Sequence, residues 1–144
     1  MSKIIVRGRG IVKGKAEGEA LVTKQAFMFP HGINPKTGDI VDVRHELYGE
    51  NIAGRIFVFP FGKGSTTGST WILEAIRNDK FPLAIVNKET EPIIATGVTL
   101  GEMLYGRKVP VVDRPERDVF ELIETGDWVI VDGTKGEIII KKKK

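Results

Sequence analysis

The segment Gly62-Lys63-Gly64-Ser65-Thr66-Thr67-Gly68-Ser69 gathers, within one turn of chain, the groups that hold anions and activate oxygen. Its three glycines let the backbone come close to a ligand. Four hydroxyls, on Ser65, Thr66, Thr67 and Ser69, surround the point where a helix is expected to begin, and Lys63 adds a full positive charge. The unpaired N–H groups and positive dipole end of a helix favour carboxylate or phosphate, and would stabilise a serine alkoxide at Ser65. Gly- and Ser-rich strand-to-helix turns also occur simply because they turn and cap well, so from the loop alone both readings stand. It is not a P-loop: Gly64 follows Gly62-Lys63 where Ser or Thr is required, and Phe57 stands where the first glycine would be. Its G-x-G-x-x-x-G spacing is not the dinucleotide fingerprint either.

The elements that must position this loop are legible on both sides of it. Ile56-Phe57-Val58-Phe59 is apolar throughout, the pattern of a strand buried on both faces in the middle of a layered sheet. After the loop, Ile72, Ala75 and Ile76 share a face in the helix expected over residues 70–77, with Ser69 or Ser65 as its cap. Upstream, residues 4–6, 11–12 and 19–22 read as short strands broken by glycine. A turn-rich loop, residues 31–39, precedes a strand expected over 40–43. Asn34, with Gly32 and Ile33, is either part of a substrate cleft or an ordinary turn.

Downstream, residues 83–86 and 93–95 are short apolar runs flanked by Pro82 and Pro92. Residues 100–105 read as a helical turn, 109–112 as a strand and 118–123 as weakly helical. Two final strands, 127–131 and 137–140, are expected to join at an Asp132-Gly133 turn. Many short strands with one good helix predict an α/β fold, a β-rich layered or barrel-like domain over residues 1–140, with 141–144 as a frayed basic tail.

Composition excludes several functions. The 144 residues contain no cysteine, so this chain offers no disulfide and no thiolate for zinc or iron–sulfur binding. Its two histidines, His31 and His45, make a histidine-rich metal site unexpected, and both read as structural or solvated side chains. No apolar run approaches the roughly 20 residues of a membrane span, and no signal-peptide core is present, so a cytoplasmic location is expected. Lys141–Lys144 supply four of the 22 Lys and Arg, leaving 18 positive against 19 negative side chains elsewhere, a net charge of −1. The basicity is a tail, and nucleic acid is not an expected partner.

Over residues 3 to 133 the chain resembles the small subunits of the aconitase X group, in its archaeal branch that acts on mevalonate 5-phosphate. The resemblance rests on Gly32-Ile33-Asn34-Pro35-Lys36-Thr37-Gly38-Asp39-Ile40, His45, Gly49, Ile52-Ala53-Gly54-Arg55, the run from Phe59 to Ser69, and Asn87 to Gly97. It implies a swivelling β/β/α domain, like the mobile domain of aconitase and the small subunit of isopropylmalate isomerase. It also implies a larger, cysteine-bearing partner subunit that carries a [4Fe-4S] cluster, with no cofactor in this chain.

The reaction implied is dehydration of mevalonate 5-phosphate to trans-anhydromevalonate 5-phosphate in the archaeal mevalonate pathway of isoprenoid biosynthesis. In aconitase-type enzymes the loop reads Gly-Ser-Ser-Arg and its first serine is the catalytic base; that position is Ser65 here. Lys63, Gly64, Thr66, Thr67, Gly68, Asn34 and Gly32 are the implied substrate-binding residues. The arginine that grips a substrate carboxylate falls at Thr67, which argues against citrate and isopropylmalate as substrates.

Three rival functions follow from the same residues: an aconitase-type hydratase subunit for another hydroxy acid, a non-catalytic docking module, and a phosphohistidine swivelling domain. The last resembles the chain at residues 125–134, but needs a histidine at the start of the helix. There the sequence has Ser65-Thr66-Thr67, with neither His31 nor His45 nearby.

Overall fold

The computed structural model describes residues 3–63 and 67–143. Its elements are β1 (Lys3–Arg7), β2 (Arg9–Val12), β3 (Lys15–Val22), β4 (Ile56–Val58), α1 (Gly68–Arg77), β5 (Ala84–Val86), α2 (Pro92–Tyr105), β6 (Val111–Asp113), α3 (Val119–Leu122), β7 (Trp128–Asp132) and β8 (Glu137–Lys141). The strands form one sheet in the order β1-β8-β7-β3-β4-β5-β6-β2. The run β3-β4-β5-β6 is parallel and every other pairing is antiparallel. β3 is long enough to serve both halves, pairing β7 through residues 15–19 and β4 through residues 20–22.

β1 and β2 lie at opposite ends of that order although only Gly8 separates them, so the sheet must curl until its ends meet. The meeting is backbone against backbone. Gly8 donates to the Gly136 carbonyl (2.8 Å), and a Cβ on Gly10 would stand 2.0 Å from the Gly133 carbonyl oxygen. No side chain fits that seam, which is the physical reason the early strands are broken by glycine.

The pleat sends alternate residues of the parallel strands into two separate cores. Ile56, Val58, Ala84, Val86 and Val112 pack with Val129, Val131, Ile138 and Ile140 from the antiparallel half. Phe57, Ile85 and Val111 face the other way, onto Ile72, Ala75 and Ile76 of α1 and Ile94 and Val98 of α2. The result is a β/β/α sandwich, and the burial expected for 56–59 on both faces is what the structure shows, with all four residues at 0% exposure.

Two expectations are corrected, and one apolar run is assigned. Residues 40–43 form no strand; Ile40 makes one isolated bridge to Ile33 inside a long connection, residues 23–55. Residues 93–95 open α2, which starts with Pro92 at its first position, capped by the Glu91 carboxylate accepting from the Ile93 N–H (3.0 Å). That helix runs through Gly97 and Gly101 because they let it lie against α1: a Cβ at either would come within 2.8 Å of Ile72 or Ile76. The β7–β8 turn spans 133–136 instead of closing at Asp132-Gly133. Asp132 Oδ1 accepts from the N–H groups of Thr134 and Lys135, and Gly136 takes the left-handed conformation (φ 71°).

The lysine run is held by the fold as far as Lys143. Lys141 completes β8, and Lys142 Nζ pairs with Asp127, whose side chain is fully buried. Burial pushes the Asp127 carboxyl up, but the bonds from Lys142 and from the N–H groups of Lys143 and Glu124 outweigh it. The carboxyl is held below its ordinary range.

Candidate functional site

The parallel strands end together, and the connection from β4 to α1 leaves from that edge, where ligands of α/β sheets are commonly bound. The first part of the connection is clamped from both sides. Asn87, fully buried at the end of β5, donates through Nδ2 to the Phe59 carbonyl (2.9 Å) and accepts from Thr90 Oγ1 (3.3 Å). The Pro60 carbonyl accepts from the N–H groups of Lys88 (2.9 Å) and Glu89 (3.1 Å). On the other flank Phe27 donates its N–H to the Phe61 carbonyl, and Lys63 donates its own to the Phe27 carbonyl (3.0 Å).

Gly62 and Gly68 bracket the loop at close quarters with α2: an added Cβ would lie 2.6 Å from Ile94 Cδ1 and 3.0 Å from Ile93 Cγ2, respectively. Helix α1 begins at Gly68, with Thr67 in the N-cap position, its carbonyl accepting from the Thr70 N–H (3.0 Å). The helix therefore starts earlier than its apolar periodicity indicates, and Ser69 sits in its first turn instead of capping it. Gly64, Ser65 and Thr66 lie outside the described residues.

The sequence-derived binding residues part company here. Lys63, Thr67 and Gly68 share the edge at the start of α1. Asn34 does not join them. Its Oδ1 accepts from the Lys36 N–H (2.9 Å) in a turn, and the neighbouring Pro35 carbonyl is held by Asn78, the residue that ends α1. Ten helical residues, about 15 Å, separate the two ends. Gly32 is a packing position: a Cβ there would overlap the Met28 carbonyl oxygen.

Both histidines, by contrast, lie closer to the loop than their place in the sequence implied. His31, at a left-handed φ of 62°, packs its ring at a tilt against Trp71 in α1 (5.0 Å between centroids). His45 lines a polar cleft of about 340 Å³ together with Lys63, Gln25, Met28, Asp42 and Arg44. The turn carrying Arg44 and His45 is tied over the end of β3: Thr23 donates to the Glu46 carboxylate (2.6 Å), and the Glu46 N–H donates to Gln25 Oε1 (2.9 Å). Neither Arg44 nor Gln25 carried a motif, so sequence spacing gave no sign of them.

At the far side of the same edge, Asp113 receives Nε and Nη2 of Arg9 (2.9 Å each) and the Thr90 N–H (2.8 Å). Burial pushes its carboxyl up, and these donors more than reverse that, keeping it ionised. The network closes the β2–β6 edge next to the start of α2, and its charges are already paired. Among the described residues no group of three or more His, Asp or Glu side chains is placed to hold a metal ion. No helix among them is long and apolar enough to cross a membrane.

Comparison with known proteins places this geometry. The profile of the aconitase X swivel domain matches residues 5–140. The phosphomevalonate dehydratase small subunit of Methanosarcina mazei is 41% identical over 143 residues, covering 99% of this chain and 95% of that protein. The crystal structure of Thermococcus kodakaraensis aconitase X in its holo-form superimposes with a TM-score of 0.86 at 40% identity, covering 96% of this chain and 99% of that one. The 3-isopropylmalate dehydratase of Methanocaldococcus jannaschii shares the fold alone, with a TM-score of 0.56 at 18% identity over 90% of this chain and 82% of that one. A glycine-rich β4–α1 connection at the open edge of a β/β/α sandwich, matched along nearly the whole chain, makes this protein a member of the aconitase X swivel-domain family.

Proposed function

We propose that the chain is the small subunit of a phosphomevalonate dehydratase, a cytoplasmic hydro-lyase that converts mevalonate 5-phosphate to trans-anhydromevalonate 5-phosphate. The observation that carries this reading is full-length similarity at 41% identity to a protein of that name. A small subunit requires a larger one, and the parallel-strand edge carrying Lys63 and the start of α1 is the face that would meet it. With no cysteine in this chain, an iron–sulfur cluster belongs on that larger partner. Such a cluster supplies a Lewis-acidic iron to the departing hydroxyl.

What this chain contributes is the base. In the proposed reaction the Ser65 alkoxide takes a proton from the carbon beside the carboxylate. The C–H electron pair becomes the new double bond, and hydroxide leaves the adjacent carbon. A serine hydroxyl is far too weakly acidic to be ionised near neutral pH, so its anion has to be stabilised by fixed donors. The donors this reading assigns are the N–H groups of Thr67 and Gly68 and the dipole of α1, which begins there. The Lys63 ammonium adds charge from the preceding turn.

The test is to isolate the chain without oxygen from the cells that make it and assay the eluate for iron and sulfide. A larger cysteine-containing partner arriving with both, and an eluate that dehydrates mevalonate 5-phosphate, is the expected result. A chain that comes out alone and iron-free overturns the reading.

A further inference from the structure

We propose that the cleft between residues 25–28 and the 42–45 turn is a subsite for a phosphomonoester, with Lys63, Arg44 and the Nε2–H of His45 as its donors. The inference starts from His45. The residue is 9% exposed, and its ring packs edge-on against Phe27 (5.3 Å). Its Nδ1 accepts from the Leu47 N–H (3.0 Å), which leaves the ring proton on Nε2. That Nε2 is buried and has no hydrogen-bond partner among the described residues. A buried donor without an acceptor is costly and uncommon in a native protein, and here it calls for an acceptor, which a water or an anionic ligand group in the adjoining cleft can supply.

The surroundings specify what kind of acceptor. Lys63 and Arg44 both line the cleft, and the Arg44 side chain is 87% exposed. Gln25 is held by its Oε1 accepting from the Glu46 N–H. The carboxylate among the lining residues, Asp42, accepts from the Arg44 N–H (3.0 Å) and lies 3.8 Å from its guanidinium, so it orients the arginine and offsets one charge. A net positive cleft with a guanidinium, an ammonium and an imidazole N–H donor suits a phosphoryl group better than an apolar or cationic one.

The proposal rests on the dehydratase reading for the identity of the ligand, and chain geometry is consistent with it. Lys63 is two residues before Ser65, so their α-carbons are at most about 7 Å apart. In mevalonate 5-phosphate the carbon that loses its proton and the phosphorus are about 6 Å apart when extended. A phosphate held in the cleft by Lys63 and a reacting carbon at Ser65 are therefore compatible with one bound molecule.

The test has two arms. In the first, the full-length chain is titrated with inorganic phosphate and followed by NMR. Shifts at Gln25, Arg44, His45 and Lys63, lost in Arg44→Met, are expected. Shifts confined to Lys141–Lys143, or none at all, overturn the site. In the second, the enzyme assembled with its larger subunit is assayed on mevalonate 5-phosphate. Arg44→Met is expected to raise KM about ten- to a hundred-fold with kcat changed far less, and His45→Gln to raise it by a smaller factor. Unchanged KM in both variants overturns the subsite and leaves the dehydratase reading standing. Phosphate-dependent shifts in a chain whose assembled enzyme ignores mevalonate 5-phosphate leave the subsite standing and overturn the substrate.

Discussion

The two faces of the central strands are built from different material. On the helix side, Phe27, Phe29, Phe57, Phe59 and Phe81 form a connected set of aromatic contacts, most with ring centroids 4.6–6.0 Å apart. On the strand side the buried residues are Val, Ile and Ala. The two halves of the curled sheet, packed face to face, leave an even gap that β-branched side chains fill from both sides. The helix side has no such regularity: the connection 23–55 covers it without a named strand or helix, and large flat rings fill the uneven space. The loop before α1 and the cleft beside it both hang from the aromatic side, since Phe27 holds Lys63 through its backbone and His45 through its ring. One face stabilises the domain; the other also sets the position of the site.

That contrast can be broken by substitution. Phe57→Ala and Ile138→Ala each remove a fully buried side chain, and both are expected to destabilise by about 2–5 kcal/mol in denaturant titrations. They should differ in kinetics. Ile138→Ala is expected to leave KM and kcat unchanged per folded molecule, whereas Phe57→Ala, by loosening Phe27, should also raise KM. Equal kinetic damage from both would show that the two faces are not functionally distinct.

A smaller effect is expected from Gly97→Ala. The added Cβ would fall 2.8 Å from Ile72 Cγ2, and overpacking costs about 1–3 kcal/mol, partly offset by the roughly 1 kcal/mol helix preference of alanine. Thermal denaturation should show a modest net loss; a rise in Tm would mean that α1 and α2 can separate without strain.

An effect of similar size belongs to the strand side. Asp127 has its pKa lowered in the folded state, so its contribution is present above the unfolded carboxylate pKa of about 3.9 and is lost as pH falls through the lower folded value. Lys142→Met leaves Asp127 with the N–H groups of Lys143 and Glu124, and is expected to cost about 1–2 kcal/mol at pH 7. It should also flatten the acid limb of the stability curve. An unchanged acid limb would mean that the pair contributes nothing to it.

How far the sequence reveals this molecule follows from which interactions are local. β4 and α1 are legible because a continuous apolar run and a 3.6-residue period are local patterns that tertiary structure only had to accept. α2 was hidden by Gly97 and Gly101, which break a helix by propensity and serve here as contact points for Ile72 and Ile76. The lysine run looked like a solvated end because Asp127, its partner, lies 15 residues upstream of Lys142. The loop 62–69 stood out by composition, but the cleft beside it did not. Lys63 is brought beside Arg44 and His45 by long-range contacts such as the Thr23–Glu46 bond and the Phe27–Gly62 bridge, and neither leaves a spacing to read.

The central claim, that this chain supplies the base to a hydro-lyase, is tested most directly by Ser65→Ala in the enzyme assembled anaerobically with its larger subunit. The account predicts that turnover of mevalonate 5-phosphate falls by at least about 10²–10⁴-fold, while Tm and binding of the larger subunit stay as in the wild type. Turnover that survives within a few-fold, with the complex intact, would contradict it.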